Sequence, residues 1–206
     1  MSIAFAVAQA GVQTTVAAQD RGAVIVHPTG LVLVVADGAG GLVGGAVAAE
    51  RVVGAARARV DRTAALPDAE AWRAFLRAMD DELARDRALG ETTALVLSVT
   101  RASIVGASVG DSGAWNVTPD GVEDLTERQH PTRLGTGRAM PRGVTRFGPW
   151  GTLVAASDGL WKYAPRERLV EAARGEALDA VADTLLAHAR LPSGGVQDDV
   201  LVLVAR

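Results

Sequence analysis

Four short apolar runs in this chain each meet an aspartate at one end. Residues 31–36 run straight into Asp37-Gly38, residues 104–109 into Gly110-Asp111-Ser112-Gly113, and residues 152–156 into Ser157-Asp158-Gly159. Near the C-terminus the order is reversed, and Asp198-Asp199 stand immediately before the run 200–204. Runs this short and this rich in Val and Leu read as strands buried on both faces. Such strands need a layer packed on each side, which rules out an isolated hairpin. One Asp-Gly after one strand is equally well a turn. The recurrence is what carries information. A sheet fixes the oxygens of an acid at a strand tip, and the neighbouring glycines let backbone or ligand approach. Carboxylates gathered at several tips repel one another and raise each other's pKa unless cations offset the charge. The expected site is therefore an all-oxygen one for hard divalent cations, Mg²⁺ or Mn²⁺.

The remaining pattern places those strands in an α+β fold. Residues 3–9, 12–19 and 23–27 read as strands, and Pro28-Thr29-Gly30 as a hairpin turn, so that the chain opens on an antiparallel meander with Asp20 at a strand end. Residues 42–60 and 67–89 have helical spacing, the second with Trp72, Phe75, Leu76, Met79 and Leu83 on one face. That stripe reads as core, and the two helices are expected to pack as a hairpin against a sheet. Strands are predicted at 92–100, 102–109, 113–117, 122–125 and 152–157, and helices at 159–163, 164–173 and 177–189. Residues 126–148, with Arg128, Arg133, Arg138, Arg142 and Arg146, read as one long irregular loop. These arginines are either solvated or placed to attract a phosphorylated partner. The sum is a central antiparallel β-sandwich flanked by helical layers, one domain over residues 1–206.

Composition narrows the function classes. Hydrophobic residues make up 49% of the 206, enough for a sizeable core, but only 4% are aromatic. The net charge of −3 lacks the basic face that a nucleic-acid binder needs to displace counterions. With no cysteine, thiolate nucleophiles, thiolate metal sites and disulfides are excluded. Neither a signal peptide nor a membrane-length apolar run is apparent, so a soluble, cytoplasmic chain is expected.

Read in order, the short motifs form a set. They are Ala-Gln-Asp-Arg at 18–21, Ala-Asp-Gly-Ala-Gly-Gly at 36–41, Thr-Thr-Ala at 92–94 and Val-Gly-Asp-Ser at 109–112. Leu-Thr-Glu-Arg-Gln-His at 125–130, Ala-Ser-Asp-Gly-Leu-Trp at 156–161 and Gln-Asp-Asp-Val at 197–200 complete it. The set resembles the metal-dependent protein phosphatases, the type 2C serine/threonine enzymes, in their compact bacterial form. The resemblance implies a β-sandwich between helical layers and hydrolysis of phosphoserine and phosphothreonine by a hydroxide bridging two Mg²⁺ or Mn²⁺ ions. By the same resemblance Asp37 bridges the ions, the Gly38 carbonyl is a ligand beside it, and Asp158 and Asp198 are the other direct carboxylate ligands. Asp20 holds ion-bound water, Asp111 helps to bind a third, weaker ion, and Asp199 supports the ligands from behind. The expected partners are phosphorylated proteins, targets of a bacterial Ser/Thr kinase, met by a monomeric phosphatase without nucleic acid or membrane.

The chain also departs from the family pattern. Thr15 stands where members often carry a phosphate-gripping Arg, which leaves Arg21 or a loop arginine to take that part. Ala39 replaces a His, and Gly113 an Arg. Ser112 and Ser157 read as turn-pinning residues and His27 as a structural histidine, while His130 is open as a proton donor. Three functional readings follow: an active protein phosphatase, a regulator that keeps the fold and binds a phosphorylated partner without turnover, or a metal-dependent phosphatase for small phosphoesters.

Overall fold

The computed structural model describes residues 2–12, 18–39, 44–127 and 131–206. Two five-stranded antiparallel sheets face each other. One runs β1 (Phe5–Ala10), β10 (Val200–Ala205), β9 (Thr152–Ala156), β6 (Gly113–Thr118), β7 (Gly121–Asp124). The other runs β2 (Arg21–His27), β3 (Gly30–Ala36), β4 (Ala94–Val99), β5 (Ser103–Val109), β8 (Arg142–Phe147). Helices α1 (Gly45–Val60) and α2 (Ala69–Ala84) cover the second sheet. Helices α3 (Asp158–Tyr163), α4 (Arg166–Ala173) and α5 (Leu178–His188) cover the first. The expected sandwich between helical layers is what forms.

The β3 run shows why its sequence is apolar throughout. Alternate side chains point to opposite faces of a sheet. Leu31, Leu33 and Val35 enter the layer between the sheets with Leu95, Leu97, Leu153, Leu201 and Leu203. Val32, Val34 and Ala36 face the other way and pack against Ala48, Val52, Trp72 and Leu76 of α1 and α2. The aromatic stripe of α2 is core, as its spacing predicts: Trp72 is fully buried, stands edge-on to Phe75, and donates its indole N–H to Ser98 Oγ at 2.8 Å.

Three local expectations are corrected. The chain does not open on a meander, because β1 pairs with β10 rather than β2, with Phe5 opposite Ala205 and Ala10 opposite Val200. Residues 13–17, most of the strand expected at 12–19, lie outside the described residues. Residues 142–147, expected to be loop, form β8, an edge strand beside β5 in which Val144 is buried at 2% exposure. Its charged, alternating sequence is how a sheet edge is kept from pairing further. Helix α2 ends at Ala84 rather than near 89, because the Asp86 carboxylate accepts the Ala88 N–H and turns the chain into a 3₁₀ turn over Arg87–Leu89.

No helix among the described residues is long and apolar enough to cross a membrane.

Candidate metal centre

Antiparallel register brings the acids to one end of the sandwich. Arg21 pairs with Ala36, so Asp20 precedes β2 where Asp37 follows β3. Gly113 and Val202 both pair with Ala156, so β6 begins and β10 enters where β9 ends, two residues before Asp158. Gly110-Asp111-Ser112 crosses from β5 to β6 and joins the two sheets at that same end. One carboxylate oxygen each from Asp37, Asp111 and Asp158 lies within 4.8 Å of the other two. These acids come from both sheets and lie up to 121 residues apart in the chain. Asp20 and Asp198 flank the trio, and each acts electrostatically on one or more of its members.

Hydroxyls and glycines hold this arrangement. Asp37 donates its N–H to Thr93 Oγ1 at 3.1 Å, and its carbonyl accepts from Thr92 Oγ1 at 2.9 Å and the Thr93 N–H at 2.8 Å. Thr93 Oγ1 in turn shares a hydrogen bond with Ser112 Oγ at 2.7 Å. Ser157 Oγ accepts the Leu201 N–H at 2.9 Å and pins β10 beside Asp158. Both serines thus do the turn-pinning that their sequence contexts imply. At Gly159 a Cβ would fall 2.1 Å from the Asp199 carbonyl, so only glycine lets the Asp198-Asp199 segment come this close to Asp158. Gly110 has φ +96° and lies against Thr93.

Asp199 does not present a free carboxylate to the trio. Its oxygens accept the Val12 N–H at 2.9 Å and the Gln19 N–H at 2.5 Å, the latter one residue before Asp20. Gln19 with its amide nitrogen turned inward donates to the Gly38 carbonyl at 3.1 Å. A carbonyl oxygen has two lone pairs, so the Gly38 oxygen retains one for an ion.

Asp20 is the most telling member. Its residue is 1% exposed, and neither carboxylate oxygen has a donor in hydrogen-bonding geometry. Burial first, then the charges of Asp199 and Asp158, push it up to about 7, against the opposing influence of the Ser157 hydroxyl and the Asp37 carboxyl. Asp37 rises to about 9, through burial and then through the charges of Asp20 and Asp158. Burial also raises Asp158, which Lys162 partly offsets through an ion pair. Unpartnered buried oxygens are rare in folded chains and call for a further donor or a cation. A dication satisfies them and displaces the protons. With carboxylate and carbonyl donors only, the set fits Mg²⁺ or Mn²⁺ and not a soft metal.

The cations are placed less simply than the sequence implies. Arg21 is committed to Glu50 at 3.1 Å and to the Ala18 and Asp20 carbonyls at 2.7 and 2.9 Å. Lys162, which the sequence analysis passed over, forms the one ion pair to these five acids among the described residues. Its signal was present in the spacing: it follows Asp158 by four residues on a helix, which puts both on one face. Trp161 explains Gly113, because a Cβ there would sit 2.8 Å from the indole nitrogen. His27 lies at the far end of β2, with Nδ1 bonded to Thr29 and Nε2 to the Thr63 carbonyl. Thr15, Gly40, Gly41, Arg128 and His130 lie outside the described residues.

A cavity of about 800 Å³ is lined by Arg87, Arg133, Arg138, Glu91 and Thr132. Its wall at Gly90-Glu91 leads directly into Thr92, the residue bonded to Asp37. The buried carboxylate of Asp80 organises the far wall, accepting the N–H groups of Gly135, Gly137 and Ala139 at 2.8–3.0 Å. Arg146 is held away by Glu123 at 3.0 Å.

A family model described as Stage II sporulation protein E (SpoIIE) matches residues 27–206. The chain belongs to the SpoIIE family. Its fold is that of the type 2C protein phosphatases, as the motifs imply. The serine/threonine phosphatase Stp1 from Staphylococcus aureus superposes with a TM-score of 0.86 at 21% identity, covering all of this chain and 95% of that one. The catalytic domain of the serine threonine protein phosphatase PstP, solved with two manganese ions, gives 0.81 at 22% identity over 98% and 97% of the two chains. A bacterial serine phosphatase gives 0.85 at 20% identity over 98% and 96%. None of the curated proteins searched matches. At these identities the superpositions establish the shared fold of this SpoIIE-family chain.

Proposed function

We propose that this chain is a metal-dependent protein phosphatase, one catalytic domain over residues 1–206 that hydrolyses phosphoserine and phosphothreonine with Mg²⁺ or Mn²⁺. The observation that carries the reading is the trio Asp37, Asp111 and Asp158 on two sheets, backed by an Asp20 whose buried oxygens have no other partner. Asp37, Asp158, Asp198 and the Gly38 carbonyl would hold the ions, with Asp20 and Asp111 completing the shell. Bound there, the ions would supply a water acidic enough to ionise near neutral pH and would offset charge on the phosphoryl oxygens. The protein's own part is positioning. Thr92, Thr93 and Ser112 fix Asp37, Ser157 fixes the strand beside Asp158, and Asp199 fixes the segment before Asp20. No covalent intermediate is required, since both serines near the acids are engaged in backbone or side-chain hydrogen bonds.

Arg87, Arg133 and Arg138 around the cavity that Glu91 also lines favour an acidic, phosphorylated protein over a small phosphoester. The fold's resemblance to phosphoprotein phosphatases supports the same substrate class. A second reading, a phosphoprotein-binding regulator without turnover, draws on Arg21 being committed to Glu50 rather than to the acids.

One experiment separates the two. The intact chain should hydrolyse an aryl phosphate and a phosphothreonine peptide only with Mn²⁺ present, and Asp37→Asn should reduce the rate by about 10³-fold or more, as losses of direct catalytic groups do. Turnover that survives EDTA would refute the phosphatase mechanism. Mn²⁺ binding without turnover on either substrate would leave the regulator.

A further inference from the structure

The acids of this site differ in exposure: Asp20 and Asp158 are buried, Asp37 is half-buried and Asp111 is exposed. Burial raises both Asp20 and Asp37, and the charge of Asp20 raises Asp37 further. One oxygen of Asp158 and one of Asp111 lie within 4.8 Å of each other and form one edge of the trio. Lys162 reaches this edge from solvent. Its side chain is 51% exposed, while that of its partner Asp158 is 11% exposed. Asp111 and Asp198 also act on the ammonium, after Asp158 itself. It is the chain's sole lysine, on the same helix face as Asp158 one turn on.

An ammonium and a dication compete for the same carboxylate oxygen. An ammonium on a flexible four-carbon stem needs no coordination polyhedron, and a tethered one does not depart by dilution. We propose that Lys162 is a built-in cation of the metal centre, holding Asp158 at the edge shared with Asp111, so that the chain takes two divalent ions and no third. This rests on the metal-dependent reading above and concerns how many ions the site admits. The ammonium replaces a dication at the position where the resemblance would put the weak third one. It also leaves a positive charge at the mouth of the site in the absence of that ion.

The test counts ions rather than turnover. Free Mn²⁺ is followed by its EPR signal, with equilibrium dialysis in parallel, on the intact chain and on Lys162→Gln and Lys162→Arg, each checked for folding by circular dichroism. The wild type and Lys162→Arg should bind two Mn²⁺. Lys162→Gln should bind a third, or bind its weakest ion about tenfold more tightly, the scale on which neighbours of metal ligands act. Three ions in the wild type, or a Lys162→Gln titration matching the wild type in number and affinity, would overturn the proposal. Folded proteins that bind no Mn²⁺ in any form would overturn the metal-centre reading and this inference with it. A third ion in Lys162→Gln without phosphatase activity in any form would sustain this inference and refute the catalytic reading alone.

Discussion

Replacing Asp20 with Asn should stabilise the metal-free chain and lose most of that gain when Mn²⁺ is bound. The carboxylate is buried, its two oxygens are unpartnered, and its pKa rises from 3.8 to about 7 in the folded chain. A carboxyl raised on folding holds its proton more tightly in the folded state, so its stability contribution is present at low pH and lost as pH climbs through about 7. At pH 8 in EDTA the charge is buried at full cost. About three pKa units at roughly 1.4 kcal/mol each set a ceiling of ~4 kcal/mol. Relaxation and water entry reduce this to ~2 kcal/mol, or a rise of ~4–8 °C in Tm for a domain of this size when Asn removes the charge. At pH 5 the folded carboxyl is already protonated and the gain should fall to less than half. With saturating Mn²⁺ that gain is largely cancelled, because the loss of an oxygen behind the ions weakens them by about 10–100-fold. The Mn²⁺-induced stabilisation should then shrink by ~1.4–2.7 kcal/mol. Thermal melts followed by circular dichroism at pH 5 and 8, in EDTA and in MnCl₂, measure all four corners. A lower Tm for Asp20→Asn in EDTA at pH 8, or an undiminished Mn²⁺ increment, would refute the argument that these oxygens await a cation.

Two further outcomes follow from the arginine-lined cavity. Asp80→Ala removes three charge-assisted hydrogen bonds to the Gly135–Ala139 segment, from a residue 4% exposed, and should destabilise the chain by ~3 kcal/mol in chemical denaturation. An unchanged denaturation midpoint would show that the segment holds its shape without that carboxylate. Arg133→Glu together with Arg138→Glu should raise KM for a phosphothreonine peptide carrying acidic neighbours at least ~10-fold, while leaving kcat/KM for an aryl phosphate within about twofold. Equal effects on both substrates would place these arginines outside peptide recognition.

How much could be read from the residues alone differs from part to part. The tips of β3, β5 and β9 and the start of β10 were legible because short runs buried on both faces and ending at an Asp recur along the chain. The partner of β1 was not, since the register of Phe5 with Ala205 joins the two ends of the chain and leaves no local trace. Strand β8 hid for a different reason. An edge strand with one buried side chain, Val144, looks like loop because its charges guard against further pairing. Lys162 was visible as the sole lysine, but its meaning needed the helix to begin at Asp158, so that a four-residue spacing became a contact.

The amino-acid order by itself determined which side chains sit at strand tips, because alternation and apolar runs are properties of neighbouring residues. It thereby determined the donor chemistry of the site, all oxygen and no sulfur. Tertiary structure decided the distances: that Asp37, Asp111 and Asp158 meet within 4.8 Å, that Asp20 is stripped of water and partners, and that Asp199 turns away to hold backbone. Those outcomes depend on two sheets closing over one another, and the energy of a buried charge is set by everything packed around it rather than by its place in the chain.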